Sequence, residues 1–196
     1  MQISEKLKTI SRSVDLSNLK RKESSAEHSW HLAIFVMLLQ KELPPQLNLE
    51  TTIKMVLIKD LVKVYAGDTP VMETILSISD NEIIFNEKII KEKKTKEKES
   101  ADKLFEILPI DLKEEFHRLW NEFEERKTIE AKFAKAVDKL HVLLQNSVSQ
   151  GMDYKEYKST YDGELLLILK YVEEFPVLKE IAISLLDDAK SNGWLL

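Results

Sequence analysis

Lys59 and Lys63 lie four residues apart in the run from Ile53 to Tyr65, which is otherwise largely apolar. At helical spacing they share one face. Two ammonium groups on a face that enters a core repel each other and lose hydration, so anions must meet them. Asp60 and Asp68 are close in sequence, and Asp138 is a candidate from a distant helix. A second constellation overlaps the first. His28 and His31 are spaced i,i+3, and with Asp60 and Asp138 they offer imidazole and carboxylate donors from three separate helices. Such donors can converge inside a bundle on a metal ion. His141, three residues after Asp138, shares its helix face. Spacing alone leaves local readings open: His31 packing or bonding to its own helix, Asp138 capping or pairing with Lys135 or Lys139, His141 bonding a backbone carbonyl. There is no Gly-rich phosphate loop, and no Ser-His-Asp arrangement stands out.

The elements that must position these residues are helical. Ile3, Leu7 and Ile10 suggest a first helix over residues 3–11, followed by a polar connector from Ser13 to Lys22. Ser24 or Ser25 can cap a helix with Glu27 or His28 in its first turn. That helix runs through Leu39 with apolar residues all round, which predicts a central, buried helix. Asn48 to Thr51 opens the helix that carries Lys59 and Lys63, and Gly67 and Pro70 end it. Val71 to Ile84 is poorly patterned. Residues 86–100 are dense in Lys and Glu and read as a charged helical or loop insertion with a solvated face. A helical pattern resumes from Ala101 to Leu108 and Pro109 breaks it. Leu112, Phe116, Leu119, Trp120 and Phe123 then form one stripe, and Phe133, Val137, Leu140, Leu143 and Leu144 another over residues 129–147. Tyr154 to Tyr161 reads as a connector, residues 165–172 are apolar, and a last helix follows over residues 177–189. Trp120, Phe123, Phe133 and Tyr65 read as core.

Composition sets outer limits. A chain of 196 residues, 43% hydrophobic and 32% charged, suits one folded all-α domain. Only 4 Gly and 5 Pro argue against a many-stranded β fold. The formal charge of −5 disfavours nucleic acid as a partner but leaves room for a local phosphate pocket. The absence of cysteine excludes disulfides, thiolate metal sites and a Cys nucleophile. No apolar run reaches membrane-spanning length, so no membrane partner and a cytoplasmic location are expected.

The motif-bearing segments resemble the HD-domain superfamily, in particular its bacterial hydrolase and 5'-deoxynucleotidase-like subgroup. Arg21 to Ala33 is similar to the first-histidine motif, Ile58 to Pro70 to the motif that names the family, and Glu130 to Leu140 to the segment with the last aspartate. The resemblance spans residues 7–196. It implies a single-domain helical bundle, 1–196, around one divalent metal held by His, His-Asp and a distal Asp. Carried over by position, His28, Asp60 and Asp138 are metal ligands, Asp68 supports the chemistry, and Arg12 falls where relatives contact phosphate. Lys59 stands where the family has the histidine of its name, and Lys63 where it has a glutamate.

Those two replacements change the expected chemistry. Together they add three positive charges, where loss of a divalent ion removes two. The ammonium groups are therefore expected at or beside the metal position, compensated by Asp60, Asp68 and Asp138. The first expectation is a protein with no metal cofactor that binds a nucleotide or another small phosphate ligand through Arg12, Lys59 and Lys63 without efficient hydrolysis. The alternative keeps a divalent metal such as Mn, Co or Mg in a three-residue or substituted site, with His31 or His141 as substitute ligand, and retains phosphohydrolase activity. A third reading is a structural protein that kept only the fold. The resemblance also implies a homodimer, with residues 165–172 as its apolar contact.

Overall fold

A computed structural model describes residues 2–17, 21–78 and 82–196. The expected N-terminal helix is absent. Ser4–Thr9 winds as a 3-10 turn that buries only Leu7, and Ser11–Asp15 is a strand, β1. Three apolar residues spread over that length bury too little surface to hold a helix. β1 pairs antiparallel with β2 (Lys22–Ser24), setting Ser11 opposite Ser24 and Asp15 opposite Lys22. The stretch read as a connector is therefore partly sheet, with residues 18–20 outside the described ones.

Helix α1 (Ser25–Leu38) starts at a capping box: Ser24 accepts from the Glu27 backbone N–H, and the Glu27 side chain accepts from that of Ser24. It is not buried all round. Leu32 and Val36 are fully enclosed, whereas Trp30 and Leu38 are 63% and 75% exposed. Asn48 caps α2 (Leu49–Ile58), which stops before Lys59 instead of running on to Gly67. Residues 59–62 tighten into i→i−3 bonds, from Leu61 N–H to Ile58 and from Lys63 N–H to Asp60. A single turn, α3 (Lys63–Ala66), follows and closes at Gly67 with φ 76°. This tightened winding turns Lys59, Asp60 and Lys63 inward together, leaving them 6%, 5% and 7% exposed.

The unpatterned stretch after it holds a 3-10 turn (Val71–Thr74) and a hairpin of β3 (Ile75–Ile78) with β4 (Ile83–Phe85). Residues 79–81 lie outside the described ones. The Lys/Glu-rich segment is helical: α4 (Glu87–Phe105) is solvated along most of its length and buries only Ser100, Ala101, Leu104 and Phe105. Helix α5 (Ile110–Glu125) follows Pro109 and buries Leu119, Trp120 and Phe123, while Leu112 and Tyr65 stay outside the core. Thr128 caps α6 (Ile129–Val148). The expected connector after Gly151 contains α7 (Met152–Tyr157), then α8 (Tyr161–Val172) and α9 (Pro176–Ser191) complete the chain. Among the described residues the architecture is all-α apart from two small two-stranded sheets. α6 is the hub, packing on α1, α2, α5, α8 and α9. In α8, Ile168 and Val172 are buried in that core and Leu165 and Leu169 pack against it. No helix among the described residues is long and apolar enough to cross a membrane.

Candidate functional site

Three short stretches meet beside α6: the β2–α1 junction, the tightened turn after α2, and α6 itself. Lys59 Nζ lies 2.6 Å from Asp60 Oδ2 and 2.8 Å from Asp138 Oδ1. It also lies 3.2 Å from His28 Nε2. Lys63 Nζ lies 3.0 Å from Asp60 Oδ1 and 2.6 Å from Asp68 Oδ1. Each lysine thus spans two carboxylates, and Asp60 serves both. Arg12, on β1, joins the cluster from the far side through Glu23, with Nε 3.0 Å from Oε2.

The histidines form a chain. His28 Nε2 is 2.9 Å from Asp138 Oδ1, His28 Nδ1 is 3.2 Å from His141 Nδ1, and His141 Nε2 is 2.9 Å from His31 Nδ1. The tautomers follow from the anionic end. An ionised Asp138 only accepts, so His28 carries its proton on Nε2 and donates. His28 Nδ1 then accepts from His141 Nδ1–H, and His141 Nε2 accepts from His31 Nδ1–H. His141 is fully buried and bonds these two rings, not the backbone carbonyl expected for a core-edge histidine. His31 is half-buried and reaches His141, not the carboxylates.

Charge follows geometry. Burial opposes ionisation of Asp60 and Asp138, yet Lys59 overrides it at both, helped by Lys63 at Asp60 and by Lys135 at Asp138, and holds both well below the usual carboxylate range. Burial likewise opposes the charge of Lys59, and Asp138 and Asp60 restore it, raising its pKa. Burial lowers His28 well below its ordinary value and His141 to about 3, with Arg12 adding to both, so the rings are neutral. Glu23, enclosed but beside Arg12, is pushed up to about 7 by burial. The mixture is a desolvated, nearly neutral network of cations and anions.

Among the described residues, two sets of donor groups bear on a divalent ion, and they differ in fit. At His28, Asp60 and Asp138, the Lys59 ammonium already occupies hydrogen-bond distance from all three donor groups. A metal cannot share that position with a charged amine, so the residues present do not fit one there. Glu23, His28 and His141 form another buried set, whose ligand atoms all lie within 4.8 Å of one another. Two neutral imidazoles and a carboxylate suit a divalent ion chemically. Glu23 carries no signal of this role in sequence. It precedes a capping box, and its partner Arg12 reaches it only because β1 and β2 pair.

The cluster borders a cavity of about 500 Å³. Arg12, Lys59, Asp60, Lys63, Asp68 and Asp138 are among its lining residues. α4 and α6 supply further charged walls, with Lys93, Lys135 and Lys139 among them, and Phe85 and Tyr171 add aromatic surface. Burial, with Lys135 and Lys93 nearby, lowers Lys139 to about 7.

Residues 4–170 match the model of the HD domain family. A 5'-deoxynucleotidase HDDC2 from Homo sapiens is 27% identical over 138 residues, covering 70% of this chain and 60% of that protein. The Xenopus laevis protein of the same name is 28% identical over 138 residues, covering 70% and 58%. The match therefore spans about 60% of the length of the human relative. Among solved structures, a predicted metal-dependent phosphohydrolase from Magnetospirillum magnetotacticum MS-1 superposes with TM-score 0.80 at 34% identity, covering 99% of this chain and 93% of that one. A conserved hypothetical protein from Pyrococcus furiosus shares the fold, with TM-score 0.60 at 21% identity, covering 97% and 96%. With the family model matched over most of its length and its motif-bearing segments gathered at one cavity, this chain belongs to the HD-domain family.

Proposed function

We propose that this protein binds a phosphate-bearing small molecule, with a nucleotide as the best-fitting class, and does not hydrolyse it efficiently. The observation that supports this is the seat of Lys59 Nζ, within 3.2 Å of His28, Asp60 and Asp138 at once. An ammonium there neutralises buried carboxylates but offers no coordination site and no metal-bound water of lowered pKa. The 5'-deoxynucleotidase relatives supply the ligand class, and the cavity of about 500 Å³ supports it, being within the range of small-molecule pockets.

A second reading is favoured by the Glu23, His28 and His141 cluster. It would hold a divalent ion beside the cavity, and the ion when bound would acidify a water for attack on phosphorus. Phosphate release from a panel of nucleoside 5'-monophosphates with Mn, Co or Mg added separates the two. The first reading expects no release above the metal-only blank. Turnover abolished by Glu23→Gln supports the second, and turnover abolished by Asp60→Ala with Glu23→Gln still active restores the family's own site.

For the homodimer, Trp30 and Met37 are spaced i,i+7 on one side of α1 with Leu38 beside them, and all three are exposed. That face suits self-association better than α8, whose apolar residues already serve the core. Light scattering on the wild type and on Leu38→Glu tests it. A dimer that Leu38→Glu converts to monomer is the expected result.

A further inference from the structure

We propose that the anion of the ligand docks on Lys93, Lys135 and Lys139, along the α4–α6 side of the cavity, and not on Lys59 and Lys63. The proposal rests on the reading that the cavity takes a phosphate-bearing ligand, and it names where that phosphate sits.

The cations at the family's metal position are already matched. Lys59 and Lys63 each hold two carboxylates at 3.0 Å or less, and Arg12 holds Glu23 at 3.0 Å. A phosphate entering there meets Asp60, Asp68 and Asp138 as well as the lysines. It must displace carboxylates that the fold keeps in place, at a cost in like-charge repulsion.

The α6 lysines are in the opposite condition. Lys135 and Lys139 are spaced i,i+4, so they share one face of α6, and both line the cavity with Lys93 from α4. Lys139 makes no ion pair within 4.0 Å among the described residues. The other two have only long ones, Lys135 to Asp138 at 3.6 Å and Lys93 to Glu97 at 3.9 Å. A direct charge-assisted contact is about 2.7–2.9 Å. Lys135 and Lys93 are also near enough to repel the charge of Lys139. Their remaining neighbours are weak substitutes for an anion: Lys135 Nζ is 4.7 Å from the Phe123 ring centroid and Lys139 Nζ 5.7 Å from that of Tyr171.

Glu97, Glu124 and Asp138 border the same lysines, so the site is not uniformly positive. Asp138 is already held by Lys59 at 2.8 Å, however, and of the three lysines here one has no carboxylate within 4.0 Å among the described residues and two hold theirs loosely. A phosphate dianion between them supplies the missing charge and up to three short hydrogen bonds. Phe85 and Tyr171 line the same cavity and add aromatic surface for an organic group attached to that phosphate. The ligand class is therefore a phosphate monoester with a flat or apolar group, such as a nucleoside monophosphate.

Titration calorimetry at pH 7 with inorganic phosphate and with 2'-deoxyadenosine 5'-monophosphate tests this. Wild type binds the nucleotide, Lys139→Gln and Lys135→Gln each weaken it about tenfold or more, and Lys139→Arg restores it to within about threefold. Lys132→Gln, on the same helix but paired with Glu174 outside the cavity, leaves binding unchanged. Thermal midpoints within a few degrees of wild type confirm folded variants, and the fold-change is read on those. Failure of wild type to bind either probe overturns the phosphate-ligand reading and this proposal with it. Binding by wild type that Lys135→Gln and Lys139→Gln leave intact overturns the docking assignment alone.

Discussion

Asp60 joins two lysines, Lys59 through Oδ2 and Lys63 through Oδ1. Removing its carboxylate leaves two buried ammonium groups sharing only Asp138 and Asp68. Asp60→Ala is therefore expected to cost about 3–5 kcal/mol, the scale of a broken buried ion pair, measured as a shift in urea unfolding. A loss under about 1 kcal/mol would show these groups to be far better solvated than their burial implies. The need for these anions was legible in sequence, because two lysines at i,i+4 in an apolar run demand them, and Asp60 and Asp68 stand close by. Glu23 and Lys139 were not legible. Glu23 resembles any acidic residue before a helix cap until β1 carries Arg12 to it. Lys139 resembles any surface lysine until α4 and α8 close around its face.

At the scale of elements, α6 carries Asp138 and His141 on the face that meets His28 and Lys139 on the face that lines the cavity. Gly151, at φ 67°, makes the turn into α7, and a Cβ placed there would lie 2.4 Å from Trp194 Cβ. Gly151→Ala strains the backbone and drives into the indole that the C-terminal tail lays over the turn. We expect a loss of at least about 2 kcal/mol, seen as a lower thermal midpoint, whereas Gly193→Ala meets no neighbouring atom and carries only the backbone strain. Long helices were legible from caps and periodicity: Ser24 and Asn48 mark starts that the structure shares, Pro109 separates α4 from α5, and the stripe that begins at Ile129 coincides with α6. Short elements were not. The β1–β2 pair, the β3–β4 hairpin and α7 are each held by tertiary contacts with little local propensity, and the break after Ile58 answers the need to turn three charged side chains inward.

For the whole molecule, the buried network sets the response to pH. His141, held at about 3 against an ordinary 6.5, takes up a proton only on unfolding, and His28 shifts in the same direction. Their contribution is present above pH 6.5 and is lost as pH falls from there toward 3. Asp60 and Asp138, held below 3.8, extend the loss further into acid. Glu23 and Asp153 act in the opposite sense: raised to about 7 from 4.5 and to about 6 from 3.8, their contributions fade as pH rises through those intervals. These carboxyls offset the histidines between pH 7 and pH 5, so the thermal midpoint changes little there and falls steeply only below about pH 4, where the carboxyls no longer compensate, and His141→Gln flattens that fall. We propose that the same network balances charge without a divalent ion at the family position. The metal content of protein purified without chelator, beside that of the double variant Lys59→His/Lys63→Glu, tests this. Far less than one ion per chain in the wild type and close to one in the double variant is the expected result. One tightly held ion per wild-type chain, lost on substitution of Asp60 or Asp138, would contradict it.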